Sequence, residues 1–433
     1  MKISKLNIKQ YKHLENLDFD FTYQTGERKG QPLDKICFIG QSATGKTNLL
    51  DLLFSLTKQA INQEIINGYL VDREYNNNIR ELKGELILNL KTEVYKVKNG
   101  ITTYKDKLYK YQNVGGMVRK LIPNNQKSNL LYFKSSTISD ENISIFNKNP
   151  IEIIEHNDSD FKEIEKENIT NLVAPEFISV FDNKVEYKTW LKLLAEILEY
   201  RKKFNQKMSE LVHKGLLGNT KKLSLEFNKW QKENPNTLEE FALKFNPIIE
   251  KLNLEVDIVN TEYSIPISNK KNDEIIPIQN TSTGTKGLLL TFLPLFKLET
   301  KDAIILMDEP ERSLYPDMQM DLIEHYQNLA PDAQFIVATH SPFIAASFEA
   351  EERFILYFDD EGKVAVRRGS SPIGDDPNDM LKNDFGVNYY NKYGEEAYKK
   401  YLNLKQKVAK EKDPKKKKEL LLETVKLGDE YNF

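Results

Sequence analysis

The stretch from Lys35 to Leu53, KICFIGQSATGKTNLLDLL, limits the fold of this chain more than any other. A short apolar run (Ile36, Cys37, Phe38, Ile39) reads as a strand, and an amphipathic helix begins near Lys46 and continues to about Ala60. Between them, Gly40-Gln41-Ser42-Ala43-Thr44-Gly45-Lys46-Thr47 fits the phosphate-loop pattern G-x-x-x-x-G-K-S/T at every fixed position. Two glycines let the backbone wrap a phosphate chain, so that its N–H groups and the helix N-terminus point at the anion. In that pattern Lys46 reaches the β and γ phosphates and the Thr47 hydroxyl coordinates Mg²⁺. The bland alternative, a glycine turn with a surface lysine, is weighed by whether partners of the loop follow downstream.

At 433 residues the chain is long enough for two or three substructures and a sizeable core. Its 62 basic and 65 acidic residues leave a net charge of −3, so there is no global attraction to nucleic acid or anionic membrane, although local patches remain open. The single cysteine, Cys37, excludes an intrachain disulfide or a cysteine zinc site and fits a small core residue in a reduced compartment. No run approaches the roughly 18 apolar residues of a membrane helix, and MKISKLNIKQYKHL lacks a signal-peptide core. The expectation is a cytoplasmic protein with no membrane partner.

In chain order, the alternation of Ile3, Leu6 and Ile8, then Leu17, Phe19 and Phe21, predicts two strands, joined at a turn that holds Tyr11, Lys12 and His13. Residues 81–111 return to strand patterning with aromatics interleaved among lysines; a half-exposed antiparallel sheet is the favoured reading, and a nucleic-acid surface gives the same string. The polar stretch 137–170 reads as a long irregular excursion. Residues 185–252 are helical in period, cut into short helices at Gly215, Gly218 and Asn234-Pro235-Asn236, with no sustained heptad. LEVDIVNTEYSIPIS and EIIPIQ then predict a hairpin across SNKKND. The expected division is 1–136 and 253–370 for the two parts of one α/β head, 137–252 for an inserted irregular and helical lobe, and 371–433 for a helical tail.

The second chemical cluster begins at KDAIILMDE, an apolar strand ending in Asp308 and Glu309. In an open parallel sheet, ligands gather at the carboxyl ends of strands, so both carboxylates would emerge beside the phosphate loop. Asp308 suits Mg²⁺, directly or through water, and Glu309 could orient or polarise the water that attacks a γ-phosphate. A further apolar strand, Phe335 to Ala338, ends in Thr339-His340-Ser341-Pro342, where His340 could donate to the γ-phosphate. Upstream, Asn280 to Gly287 enters the apolar helix LLLTFLPLF; Ser282 and Gly284 offer a hydroxyl and backbone N–H groups to an anion, although taken alone the segment is a helix cap.

With these pieces in this order, the chain resembles the ATP-binding-cassette head ATPases, in the soluble branch that contains the RecF, SMC and OLD-type proteins. The resemblance puts the nucleotide at Gly40, Gln41, Ser42, Ala43, Thr44, Gly45, Lys46, Thr47 and Asn48, and the signature motif at Ser282 and Gly284, where Thr281 and Thr285 replace the usual leucine and glutamine. It makes Thr47 and Asp308 the metal residues, Glu309, His340 and Lys46 the catalytic ones, and Ser313 to Pro316 the D-loop. It further implies ATP and Mg²⁺ as ligands, base or ribose contact near Tyr11, Lys12 and His13, and a mixed sheet around the phosphate-loop helix. The glutamine of the Q-loop has no match. Heads of this kind form head-to-tail dimers, so Ser282 and Gly284 would complete the site of another copy.

What such a head drives is left to three readings. A transporter cassette fits least. A RecF-like DNA-repair ATPase is the alternative to an ATPase of the anti-phage type found in Septu and PARIS systems, which regulates a separately encoded nuclease or toxin. After His340 only about ninety residues remain, and Asp359-Asp360-Glu361-Gly362 reads as a hairpin turn, so a nuclease site is not expected in this chain. Lys415 to Lys418 read as a solvated turn between two helices. Those helices, with Tyr390, Tyr393, Tyr398, Tyr401 and Leu402, are the expected surface for an effector or a higher homo-oligomer, and nucleic acid stays open as a partner.

Overall fold

The computed structural model describes residues 1–71, 83–112, 116–123, 129–156, 178–374, 376–387 and 392–431. The chain opens with an antiparallel hairpin, β1 (Lys2–Tyr11) and β2 (Leu14–Asp20), turning at Lys12 and His13. Strand β3 (Lys35–Gly40) then leads through the glycine loop into α1 (Lys46–Asn62). Next come β4 (Glu64–Ile66), β5 (Tyr69–Val71), β6 (Lys83–Leu90), β7 (Glu93–Lys98), β8 (Ile101–Tyr104), β9 (Lys107–Tyr109) and β10 (Arg119–Lys120). Six of these build an antiparallel sheet in the order β2-β1-β6-β7-β8-β9, while β10, β4 and β5 form a small one. Along β6 every second residue is buried, as a sheet with one face on a core requires.

Further along are β11 (Leu130–Phe133), α2 (Asp140–Ser144), α3 (Pro150–His156), β12 (Ile178–Phe181), α4 (Tyr187–His213), α5 (Thr220–Glu233) and α6 (Thr237–Ile249). Strands β13 (Leu254–Val256), β14 (Ile267–Asn269) and β15 (Ile275–Ile276) make a third antiparallel sheet, which includes the expected hairpin across residues 270–274. Then follow α7 (Thr283–Lys297), β16 (Ile304–Asp308), α8 (Pro316–Met320), α9 (Leu322–Leu329), β17 (Gln334–Ala338), α10 (Pro342–Ala346), β18 (Arg353–Phe358) and β19 (Val364–Arg368). The tail holds α11 (Pro377–Asn383), α12 (Lys392–Lys410) and α13 (Pro414–Tyr431).

The central sheet runs β12-β11-β16-β17-β3-β18-β19, parallel throughout except for β19. Its middle strands are buried at nearly every position, and apolar except at their ends, because both faces are covered. Ile36, Phe38, Ile304, Leu306, Ile336 and Ala338 point into a core shared with α1 and the antiparallel sheet. Cys37, Ile39, Ile305, Met307, Phe335 and Val337 point the other way, into a core with α4, α6 and α7. Burial pushes the Cys37 thiol well above its ordinary range, as befits an inert core residue. The parallel arrangement brings the carboxyl ends of β3, β16, β17 and β11 to one edge.

Three expectations are corrected. Within 137–170, residues 137–156 are folded: Ser139 caps α2, Ile143, Ile145, Phe146 and Ile153 are buried, and Trp190 Nε1 donates to the buried Asn142 Oδ1 at 3.2 Å. Too few apolar residues, too unevenly spaced, announce that segment; residues 157–170 lie outside the described residues. Of the helices in 185–252, α4 is long, 27 residues, because no breaker precedes Gly215. Lys415 to Lys418 are exposed but occupy the first turn of α13, whose start is set by Pro414 and by Asp413 accepting from Lys415 N at 2.9 Å. The turn 359–362 does join β18 to β19, with Asp359 Oδ1 accepting from Glu361 N and Lys363 N. Tyr390 lies outside the described residues, as does the side chain of Tyr393, while Tyr398 and Tyr401 stack at 6.4 Å on α12. No helix among the described residues is long and apolar enough to cross a membrane.

Candidate functional site

The loop between β3 and α1 is held by its glycines. Gly40 has φ +145°, and a Cβ there would stand 2.0 Å from the carbonyl oxygen of Leu356 on the neighbouring strand, so no larger residue fits. Gly45 enters α1 with φ +92°, and no side chain caps the helix. The first-turn amides of a 17-residue helix are thus left for a ligand or water. Lys46 is buried, and among the described residues its ammonium donates only to the carbonyls of Gly40 (2.8 Å) and Gln41 (3.0 Å). Burial, partly offset by Glu309 and Asp308, holds it down at about 8.

From β16, Asp308 meets this loop: the Thr47 hydroxyl stands 3.1 Å from each of its carboxylate oxygens. Burial raises the Asp308 carboxyl to about 6 against the pull of the Thr47 hydrogen bond. Glu309 leaves the strand in the left-handed region (φ +51°), which costs a non-glycine residue about 1–3 kcal/mol. Its amide donates to Ala338 O on β17 at 2.8 Å, so the strained turn is tied to the next strand. His340, just past β17, places Nε2 3.8 Å from Glu309 Oε1. Burial first, then Lys46, lowers its proton affinity, which favours the neutral imidazole.

One open cleft of about 210 Å³ is lined by Ala43, Gly45, Lys46, Thr47, Asn48, Asp308, Glu309, Ala338 and His340. The tip of the first hairpin leans on its rim. Lys12 Nζ donates to Asn48 Oδ1 at 2.7 Å, and a Cβ at Gly45 would come within 2.8 Å of the His13 ring. Tyr11 lies under the Lys12 ammonium, 5.4 Å from ring centroid to Nζ. Gln41 and Ser42 are exposed on the loop, and Thr44 is buried beneath it, donating to Gln41 O.

Ser282 and Gly284 do not line that cleft. Ser282 caps α7 by accepting from Thr285 N at 3.1 Å, and Gly284 lies against Ser313, whose carbonyl oxygen would be 2.6 Å from a Cβ. Ser313 itself is left-handed (φ +62°). At the carboxyl end of β11, beside β16, stands Lys134-Ser135-Ser136, with no glutamine following the strand. Lys134 Nζ is 3.3 Å from Asp51 Oδ1, one turn beyond Thr47 on α1. Two residues went unnoticed in the sequence: Lys134, whose only signal was its place after an apolar strand, and Glu311, described below.

A family model for an AAA ATPase domain, AAA_15, matches residues 1–345. The Retron Vc95 probable ATPase of Vibrio cholerae serotype O1 biovar El Tor is 29% identical over 122 residues, 26% of this chain and 24% of the relative. The Septu protein PtuA of Bacillus thuringiensis is 32% identical over 72 residues, 17% of this chain and 18% of the relative. Each alignment spans under a quarter of the relative's length. Among solved structures, the SMC head domain from Thermotoga maritima shares 12% identity at a TM-score of 0.37, covering 86% of this chain and 100% of that one. A Pyrococcus furiosus Smc head with an extended coiled coil, bound to the C-terminal domain of ScpA, shares 16% identity at a TM-score of 0.37, covering 85% and 96%. With the family model covering most of its length and the loop, carboxylates and histidine meeting in one cleft, the chain belongs to the AAA ATPase domain family.

Proposed function

We propose that this chain binds ATP with magnesium and hydrolyses it slowly, as a switch that holds two copies head to tail and regulates a separately encoded nuclease or toxin. The carrying observation is the single cleft shared by Lys46, Thr47, Asp308, Glu309 and His340 at the carboxyl ends of three parallel strands. A buried ammonium bonded to two backbone carbonyls and an uncapped helix start suit a polyphosphate. The donor set also fits the metal, since a hydroxyl and a desolvated carboxylate are hard oxygen ligands. Thr47 and Asp308 would hold magnesium, which neutralises charge on the β- and γ-phosphate oxygens when bound.

In this reading Lys46 leaves the Gly40 and Gln41 carbonyls for the β and γ phosphates. His340, neutral, donates its N–H to a γ-phosphate oxygen. Glu309 orients water for in-line attack and takes its proton as the oxygen–phosphorus bond to the β-phosphate breaks, leaving ADP and phosphate. Gln41, Ser42, Ala43, Thr44, Gly45 and Asn48 wrap the phosphates, and Tyr11, Lys12 and His13 face the base or ribose. Ser282 and Gly284, which do not line their own cleft, act on that of a second copy.

We assign 1–136 and 253–370 to the head, 137–252 to the lobe and 371–433 to a tail that docks the effector or further copies. Names of the curated relatives, a retron ATPase and a Septu protein, support the regulatory reading. Sedimentation tests the switch. Glu309→Gln saturated with ATP should gain dimer over Lys46→Ala, and equal sedimentation of the two would refute it. ATPase activity that rises several-fold on double-stranded DNA, with steep salt dependence of binding, would favour a DNA-repair role instead.

A further inference from the structure

Glu311 is partly buried in the segment after the acidic pair, yet no step above uses it. Its Oε1 accepts from the Thr339 hydroxyl at 2.7 Å and from the backbone N–H of His340 at 3.0 Å. Its Oε2 is buried with no hydrogen-bond partner among the described residues. A carboxylate is costly to bury, and one that spends its bonds on the main chain of a site residue fixes where that residue sits. A second buried side chain joins the same two segments: the Ser341 hydroxyl donates to Gln319 Oε1, while Gln319 Nε2 donates to Leu314 O at 2.7 Å. Between these two clasps lies Ser313, whose carbonyl rests on Gly284.

We propose that Glu311 is a positioning residue: its carboxylate holds the backbone of His340 at the cleft and binds it to the segment 309–319 as one body, so that displacement at the Ser313–Gly284 contact moves the histidine. The bond from the His340 amide runs to a carboxylate oxygen, and a partner seated against Gly284 would act on the cleft through Ser313, Glu311 and His340 in turn. The role in turnover rests on the ATPase reading above, whereas the clasp does not.

Three variants separate the two. Glu311→Ala should lower kcat by roughly 10–100-fold, the range for a misplaced catalytic group, with the KM for ATP nearly unchanged. Glu311→Gln, which keeps an acceptor at Oε1, should restore most of that rate. In a His340→Ala background, Glu311→Ala should cost little more, because the residue acts through the histidine. Amide exchange at His340 should quicken in Glu311→Ala and stay slow in Glu311→Gln. Full additivity with His340→Ala, or unchanged exchange at His340, would overturn the proposal. If the wild type hydrolyses no ATP, the ATPase reading fails while amide exchange still decides the clasp. Should Glu311→Ala not fold, Thr339→Val, which removes the companion donor, should quicken the same exchange to a smaller degree, and no change there would count against the clasp.

Discussion

At the scale of single residues, Asp308 carries the sharpest consequence. Its carboxyl is raised by burial to about 6, above the ordinary value near 4. Between those values the folded, metal-free chain binds a proton that the unfolded chain does not, so its stability falls as pH rises through that window. A cation held by Thr47 and Asp308, as proposed, would compete with the same proton. The Mg²⁺ concentration for half-maximal ATPase activity should therefore climb as pH drops below about 6. A titration of Mg²⁺ at pH 5.5 and 7.5 checks this, and an unchanged midpoint would remove Asp308 from the metal site. The residues Lys46, Thr47, Asp308 and His340 were legible in the sequence because each follows an apolar strand or a glycine pattern. Glu311 was not, since its partners at 339 and 340 are meaningful only once β16 and β17 lie side by side.

At the scale of elements, the strands and helices flanking the loop could be read from period and punctuation, and most of their ends lie where glycine, proline or a capping residue stands. What the sequence hid were elements held by distant pairs. Arg353 begins β18 and is wholly buried, with Nε 2.9 Å from Asp384 Oδ2 and Nη1 donating to Phe348 O at 2.6 Å. Asp384, just past α11, also accepts from Ser370 N and Oγ, both at 2.9 Å. Asp384, paired with Arg353 and, at 3.8 Å, with Arg367 of β19, thus fastens α11 to the central sheet. Breaking a buried pair leaves an uncompensated charge at a cost of about 3–5 kcal/mol. Asp384→Asn should lower the urea midpoint accordingly without changing nucleotide affinity. A loss under about 1 kcal/mol would show that the pair adds nothing beyond its shape. The folded stretch at 140–156 escaped notice for the same reason: its anchor, Asn142, is polar, and its partner Trp190 is 48 residues away.

At the scale of the whole molecule, the two cores on either face of the central sheet explain why the carboxyl ends of β3, β16 and β17 form a rigid edge on which a cleft can stand. The same arrangement leaves Ser282 and Gly284 outside that cleft's lining, with Gly284 against Ser313 in a neighbouring cavity that Asp308 and Glu309 also line. Sequence order alone could not show this, because a helix cap looks the same wherever its helix is placed. If Ser282 and Gly284 serve a second copy, two inactive variants should repair each other. Lys46→Ala spoils the loop and keeps the signature, whereas Ser282→Arg does the reverse. A head-to-tail hybrid then holds one complete site, so an equimolar mixture of the two, each inert alone, should recover about a quarter of the wild-type ATPase rate. A mixture as inert as its parts would contradict the composite site on which the account rests.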